Sequence, residues 1–216
     1  EDAESLLREW QNSSIQVITY GSPQYPIQLS ELEDPPAFLY CRGDTSLLTN
    51  LQSIAVVGTR ENTSIGELIA TKTVSHFVSQ DYCVVSGLAL GIDTIAHQAT
   101  LNISGKTIAV LVDIEKVSPA KNKALADQIL KRGGLLVAEN PPGTNVIPAL
   151  FVKRDRIQSG LSLAVFAIET SIGGGTMHAV KIANKLGRNV YVPNPSAAGY
   201  PDLSDKPILG TQMLVK

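Results

Sequence analysis

The chain has 216 residues, 44% of them hydrophobic and 18% charged, with a formal net charge of −2 and a pI near 5.9. That composition excludes a disordered chain, and the acidic balance excludes a polyanion binder working through a global basic field, so any phosphate site must be a local patch. Cys41 and Cys83 stand far apart without CxxC spacing, so neither a zinc site nor a disulfide framework is suggested and two reduced thiols are expected.

Residues 1–50 read as an N-terminal extension packing on the core. A short helix is predicted over 3–10 and a brief strand at "IQVITY"; "GSPQYP" and "EDPPAFLYCRG" read as proline-punctuated connections. From 51 to 216 the pattern changes to short, continuous apolar runs bounded by Gly or Pro: "SIAVVG", "DYCVVSG", "KTIAVLV", "GGLLVAE", "SLAVFAIE" and "RNVYVP". Helix-length stretches lie between them at 64–79, 91–104, 119–132, 148–160 and 174–187. Continuous rather than alternating apolar strands mean burial on both faces. The fold class expected is α/β, a doubly wound, mostly parallel sheet of extended Rossmann-like type with helices on both faces and a ligand crevice at the carboxyl ends of its strands. After Pro193 the sequence has mostly loop chemistry, ending in a short element. No apolar run approaches the roughly 18 residues of a membrane span and no signal peptide opens the chain, so a cytoplasmic protein with no membrane contact is expected.

Four strand-to-helix junctions carry unusual residues. In "VVGTRENTSIG", Gly58 permits close backbone approach, Thr59, Thr63 and Ser64 can cap the next helix, and Arg60 brings a fork of donors. The junction is neither GxGxxG nor a P-loop. In "SGLALGIDTIAH", Ser86 and Gly87 are expected to face the ligand. Asp93 and His97, four residues apart on one helical face, are expected to hold the loop through a mutual hydrogen bond. Two such ligands without a third do not make a metal site. In "FVKRDRIQSGLS", Lys153, Arg154 and Arg156 are candidates to reach into the crevice, although a charge run is more often a solvated face. In "ETSIGGGTMHAVKIA", Gly173, Gly174 and Gly175 leave N–H groups free before a helix that opens at Thr176, which is the most specific phosphate-binding signature in the chain. No nucleophile is paired with a base and no carboxylate dyad or metal cluster appears, so no catalytic residue and no cofactor is assigned. Glu139 and Glu169, both ending strands, are the only carboxylates placed to serve an N-glycosidic hydrolase.

In the order and spacing of "AVVGTRENTSIG", "VVSGLALGIDTIAHQATL", "GKTIAVL", "GGLLVAENPPGT", "FVKRDRIQSGLS" and "GRNVYVP", the chain resembles the DNA-processing protein A family (DprA, also called Smf) over nearly its whole length. The resemblance implies a dimeric, non-catalytic, sequence-independent binder of single-stranded DNA that passes it to the RecA recombinase during transformation. It also implies that the family's C-terminal winged-helix-like domain, and most of an N-terminal helical domain, fall outside these 216 residues. Carried over by position, the pocket would use Arg60, Ser86, Gly87, Lys153, Arg154, Arg156 and the 173–175 turn, with Asp93 structural.

Three places depart from the family pattern. "VLVDIEKVSPAKN" replaces a glycine-containing loop with a Tyr-Pro pair, Asp155 stands between the arginines where the family has Asn, and "GGGT" replaces a Ser-Gly-Ser turn. The glycine turn also resembles the phosphate loops of the wider superfamily, which makes a sensor for a nucleotide-derived small molecule the alternative. A phosphoribohydrolase-like enzyme ranks lower, because Ala179 or Val180 falls where its catalytic glutamate belongs.

Overall fold

The computed structural model describes residues 3–49 and 51–215; Asn50, where the extension was expected to end, and residues 1, 2 and 216 lie outside them. Helix α1 (Ala3–Asn12) precedes β1 (Gln16–Thr19) and β2 (Phe38–Gly43). Then β3 (Ser53–Val57), α2 (Ser64–Val78), β4 (Cys83–Ser86), α3 (Ile92–Asn102) and β5 (Thr107–Leu111) alternate. The alternation continues through α4 (Lys123–Lys131), β6 (Leu135–Ala138), α5 (Pro148–Gly160), β7 (Ala164–Ala167), α6 (Thr176–Lys185) and β8 (Asn189–Tyr191). Helices α7 (Pro195–Ala198) and α8 (Lys206–Val215) close the chain.

Among the described residues, eight strands form one sheet in the order β1-β2-β6-β5-β4-β3-β7-β8. From β6 to β8 every pairing is parallel; β2 runs antiparallel to both β1 and β6. The alternating burial explains the continuous apolar runs. Ile54 and Val56 of β3 face one core cluster and Ala55 and Val57 the other, while Ile108 and Val110 of β5 lie opposite Ala109 and Leu111. With helices covering both faces, the four central strands β3, β4, β5 and β6 are buried at every position, while the outer strands β1, β2 and β8 keep exposed residues such as Gln16 and Asn189.

Two segments differ from expectation. The stretch read as a connection at "EDPPAFLYCRG" contains β2, whose Leu39 and Cys41 enter one cluster and Tyr40 the other, despite the prolines just before it. The tail after Pro193 is not mostly loop: α8 docks on the end of β7, where Thr170 N donates to Thr211 Oγ1 at 2.9 Å and Gly210 N to Thr170 O at 2.9 Å.

The chain builds outward from β3 in one direction through β4, β5 and β6, then returns to its other side with β7 and β8. The reversal point therefore lies between β3 and β7, in register from Ile54↔Ala164 to Val57↔Ala167. Loops leaving these neighbouring strands diverge, and a crevice opens between them at the carboxyl ends of the sheet.

Candidate functional site

A cavity of about 400 Å³ occupies that crevice, within the roughly 300–1,000 Å³ of small-ligand sites. Its floor is the β3–α2 turn: Gly58, Thr59 and Arg60. Gly58 is needed because a Cβ there would sit 2.5 Å from Ile92 Cγ1, and Gly91, at φ 75°, lets the start of α3 press against the carbonyl of Thr59. Behind the turn, Glu169 is fully buried and acts as a clamp. Thr63 N and Oγ1 donate to its two carboxylate oxygens at 2.9 and 2.5 Å, and Thr63 Oγ1 caps α2 by accepting from Gly66 N at 3.0 Å. A carboxylate at a helix N-terminus also complements the helix dipole.

The β4–α3 loop is held from within. Gly87 N and Ala89 N donate to Asp93 Oδ2 at 3.1 and 3.4 Å, and Asn122 Nδ2 donates to Leu88 O at 2.8 Å. Burial pushes the Asp93 carboxyl up, and the Arg154 charge and these N–H groups pull it back. The expected Asp93–His97 hydrogen bond does not form. His97 sits one turn deeper, its Nδ1 2.8 Å from Thr107 Oγ1 on β5, because the Asp93 carboxylate already turns outward to the loop N–H groups and Arg154. Burial drives His97 down to about 3, so its ring is neutral. Neither Ser86 nor Gly87 lines the cavity: Ser86 is fully buried and its Oγ donates to Val56 O at 2.7 Å, locking β4 to β3, and Gly87 is covered by the Arg154 guanidinium.

Helix α5 divides the charge run by its own periodicity. Phe151, Arg154, Asp155 and Gln158, at i, i+3, i+4 and i+7, turn to the cavity. Arg154 is buried and its guanidinium lies over Gly87, where an added Cβ would displace it. The guanidinium carbons of Arg60 and Arg154 both stand 6.0 Å from the centre of the Phe151 ring. Lys153 and Arg156 turn elsewhere. Arg156 Nη1 and Nη2 donate to Glu139 at 2.8 and 2.6 Å and its Nε donates to Asp34 O at 3.1 Å, while Lys153 Nζ meets Glu139 at 3.1 Å. Neither lines the cavity.

Opposite α5, Gly174, Gly175 and Thr176 line the cavity where α6 begins, and Gly173, at φ 72°, turns the chain just outside it. The Gly174 N–H is not free as expected, because the turn makes it donate to Ser171 O at 3.0 Å. The charged lining is thus Arg60 and Arg154 against Asp93 and Asp155. Burial pushes Asp155 up to about 6, with Arg154 opposing. Phe151, Asp155 and Gln158 were not singled out from the sequence as ligand-facing residues; helical spacing from Arg154 was the signal that could have found them. Among the described residues no group of three or more His, Cys, Asp or Glu could hold a metal ion, and no helix is long and apolar enough to cross a membrane.

Residues 16–216 match the family model for DNA recombination-mediator protein A. The chain is 34% identical to the DNA processing protein DprA of Bacillus subtilis over 86% of its own length and 63% of that protein. It is 35% identical to protein Smf of a Synechocystis species, over 88% of its length and 48% of that protein. It therefore spans about half to just under two thirds of these relatives. The DNA processing protein A structure from Streptococcus pneumoniae superimposes with a TM-score of 0.86 at 32% identity, covering 100% of this chain and 72% of that one. That from Helicobacter pylori, described for its single-stranded DNA binding mode, gives 0.78 at 26% identity, with 93% and 88% covered.

Proposed function

The chain belongs to the DNA recombination-mediator protein A family, and from that premise we propose that it binds single-stranded DNA without sequence preference and passes it to a RecA-type recombinase, acting as a cytoplasmic homodimer. The observation that carries this reading is the pair of guanidinium groups over Phe151, facing the N-terminus of α6 across the cavity. Guanidinium groups and helix-end N–H groups suit a phosphate, and an aromatic face suits an unpaired base of any identity. In this reading the 58–60 turn, Arg154 and the 174–176 turn meet the strand. Ser86, Gly87, Asp93 and His97 support the loop, and Lys153 and Arg156 brace α5. Residues 1–50 are kept as an extension on the 51–216 core, its two strands prolonging the core's sheet.

We read the protein as a binder rather than an enzyme. Glu139 is held by Arg156 and Lys153, and Glu169 by Thr63, so both carboxylates that could have served a hydrolase are engaged. A fluorescence-anisotropy titration with a labelled single-stranded oligonucleotide, with duplex and mononucleotide as competitors, tests the reading. Salt-sensitive binding that prefers the single strand is expected. Displacement by the mononucleotide alone would assign the cavity to a small ligand instead.

A further inference from the structure

Asp155 places a carboxylate inside a cavity read above as a phosphate site. Its Oδ1 lies 3.7 Å from Arg154 Nη1 and accepts from Gln158 Nε2 at 2.9 Å. Its side chain is 15% exposed, which leaves it largely dehydrated yet open to the cavity. The charges that face it come from three elements: Arg154 beside it on α5, Arg60 on the β3–α2 turn, and Asp93 at the start of α3. From α6 the cavity receives Thr176 and Ala179, neither of which titrates. Two guanidinium groups and two carboxylates therefore nearly cancel while both carboxylates are ionised.

The two carboxylates are not equivalent. Asp93 accepts two backbone N–H bonds that cannot be turned away. Asp155 has instead a side-chain amide whose other end, Gln158 Oε1, is buried without a partner. An amide turned end for end would present that oxygen to a protonated carboxyl, so this pair can satisfy either protonation state of Asp155.

We propose that Asp155 is a proton-operated brake on phosphate binding in this cavity: ionised, it offsets one guanidinium; protonated, it leaves Arg60 and Arg154 to the ligand. The proposal rests on the single-strand reading above. Burial already pushes this carboxyl up to about 6, and a bound phosphate pushes it further, so binding takes up a proton and affinity rises as the pH falls.

The test is the affinity for a labelled single-stranded oligonucleotide between about pH 5 and about pH 8, at fixed ionic strength, for the unmodified protein and Asp155→Asn. The unmodified protein is expected to tighten roughly tenfold toward the acid end. Asp155→Asn should bind as tightly at neutral pH as the unmodified protein does in acid, with a flatter profile. Ionisations elsewhere in the chain are common to both proteins, so the difference between the profiles belongs to Asp155. One shared profile would overturn the brake and leave DNA binding standing; no binding by either protein at any pH would overturn both. Carbon-13 NMR titration of the Asp155 carboxyl without ligand is the second measurement. A midpoint well above the ordinary value of about 3.9 supports the brake, and one at that value overturns it.

Discussion

The guanidinium of Arg154 occupies the space that a side chain on Gly87 would need. A buried cation from α5 thereby rests on bare backbone at the end of β4, beside Asp93 from α3, and three elements meet at one charge. In Gly87→Ala the flexible guanidinium end should move before the backbone does. The fold is expected to survive, with the melting transition shifted by only a few degrees, while single-strand affinity falls about tenfold, the worth of one charge-assisted hydrogen bond. Circular dichroism and anisotropy measure the two effects; unchanged affinity would remove Arg154 from the ligand site.

Arg60 and Arg156 should separate in a salt titration. Arg60→Ala removes an exposed cation of the cavity, so the slope of log affinity against log salt should become shallower by roughly 0.7. Arg156→Ala strips Glu139 of its bidentate partner but leaves it Lys153, and should cost about 1–3 kcal/mol of stability in urea unfolding. Its salt slope should not change. Equal slope changes for the two variants would return Arg156 to the strand.

Glu169 should behave as a structural group. Glu169→Ala leaves Thr63 N without its acceptor at the start of α2, at a cost of roughly 1–3 kcal/mol. Glu169→Gln keeps one oxygen and should recover part of that loss. Denaturant midpoints of both variants check the order, and equal losses would show that the carboxylate geometry contributes nothing.

Two buried groups give stability opposite pH trends. His97 is held at about 3, against about 6.5 in an unfolded chain. Its contribution is full above that unfolded value and is lost as the pH falls toward 3. Asp155 is held at about 6, against about 3.9 unfolded, so its contribution is present below the unfolded value and lost as the pH rises through the folded one. At neutral pH the ionised carboxylate costs on the order of 3 kcal/mol. Asp155→Asn should therefore be the more stable protein at pH 7.5, with the advantage shrinking between about pH 6 and about pH 4. Urea midpoints across that range decide it; equal stability at neutral pH would mean Asp155 is solvated in the ordinary way.

The parallel strands and their helices were legible because burial on both faces writes itself into consecutive residues, as at Ile54 to Val57 and Ile108 to Leu111. The turns at Gly58 and at 173–175 were legible too, since glycine just after a strand or just before a helix is a local signal. Strand β2 was hidden behind Pro35 and Pro36, and α8 behind the loop-forming residues before it. The sequence by itself thus determined the sheet, the crevice and the kinds of groups that surround it. Only the tertiary structure decided which of these groups share the cavity. The choice depends on partners distant in the chain: Asp34 and Glu139 draw Arg156 to one side of α5, Thr107 takes His97, and bare backbone at Gly87 makes room for Arg154. A side chain's local pattern places it on a face of its helix, but the lowest-energy partner for a buried charge is set by whatever the fold brings opposite that face.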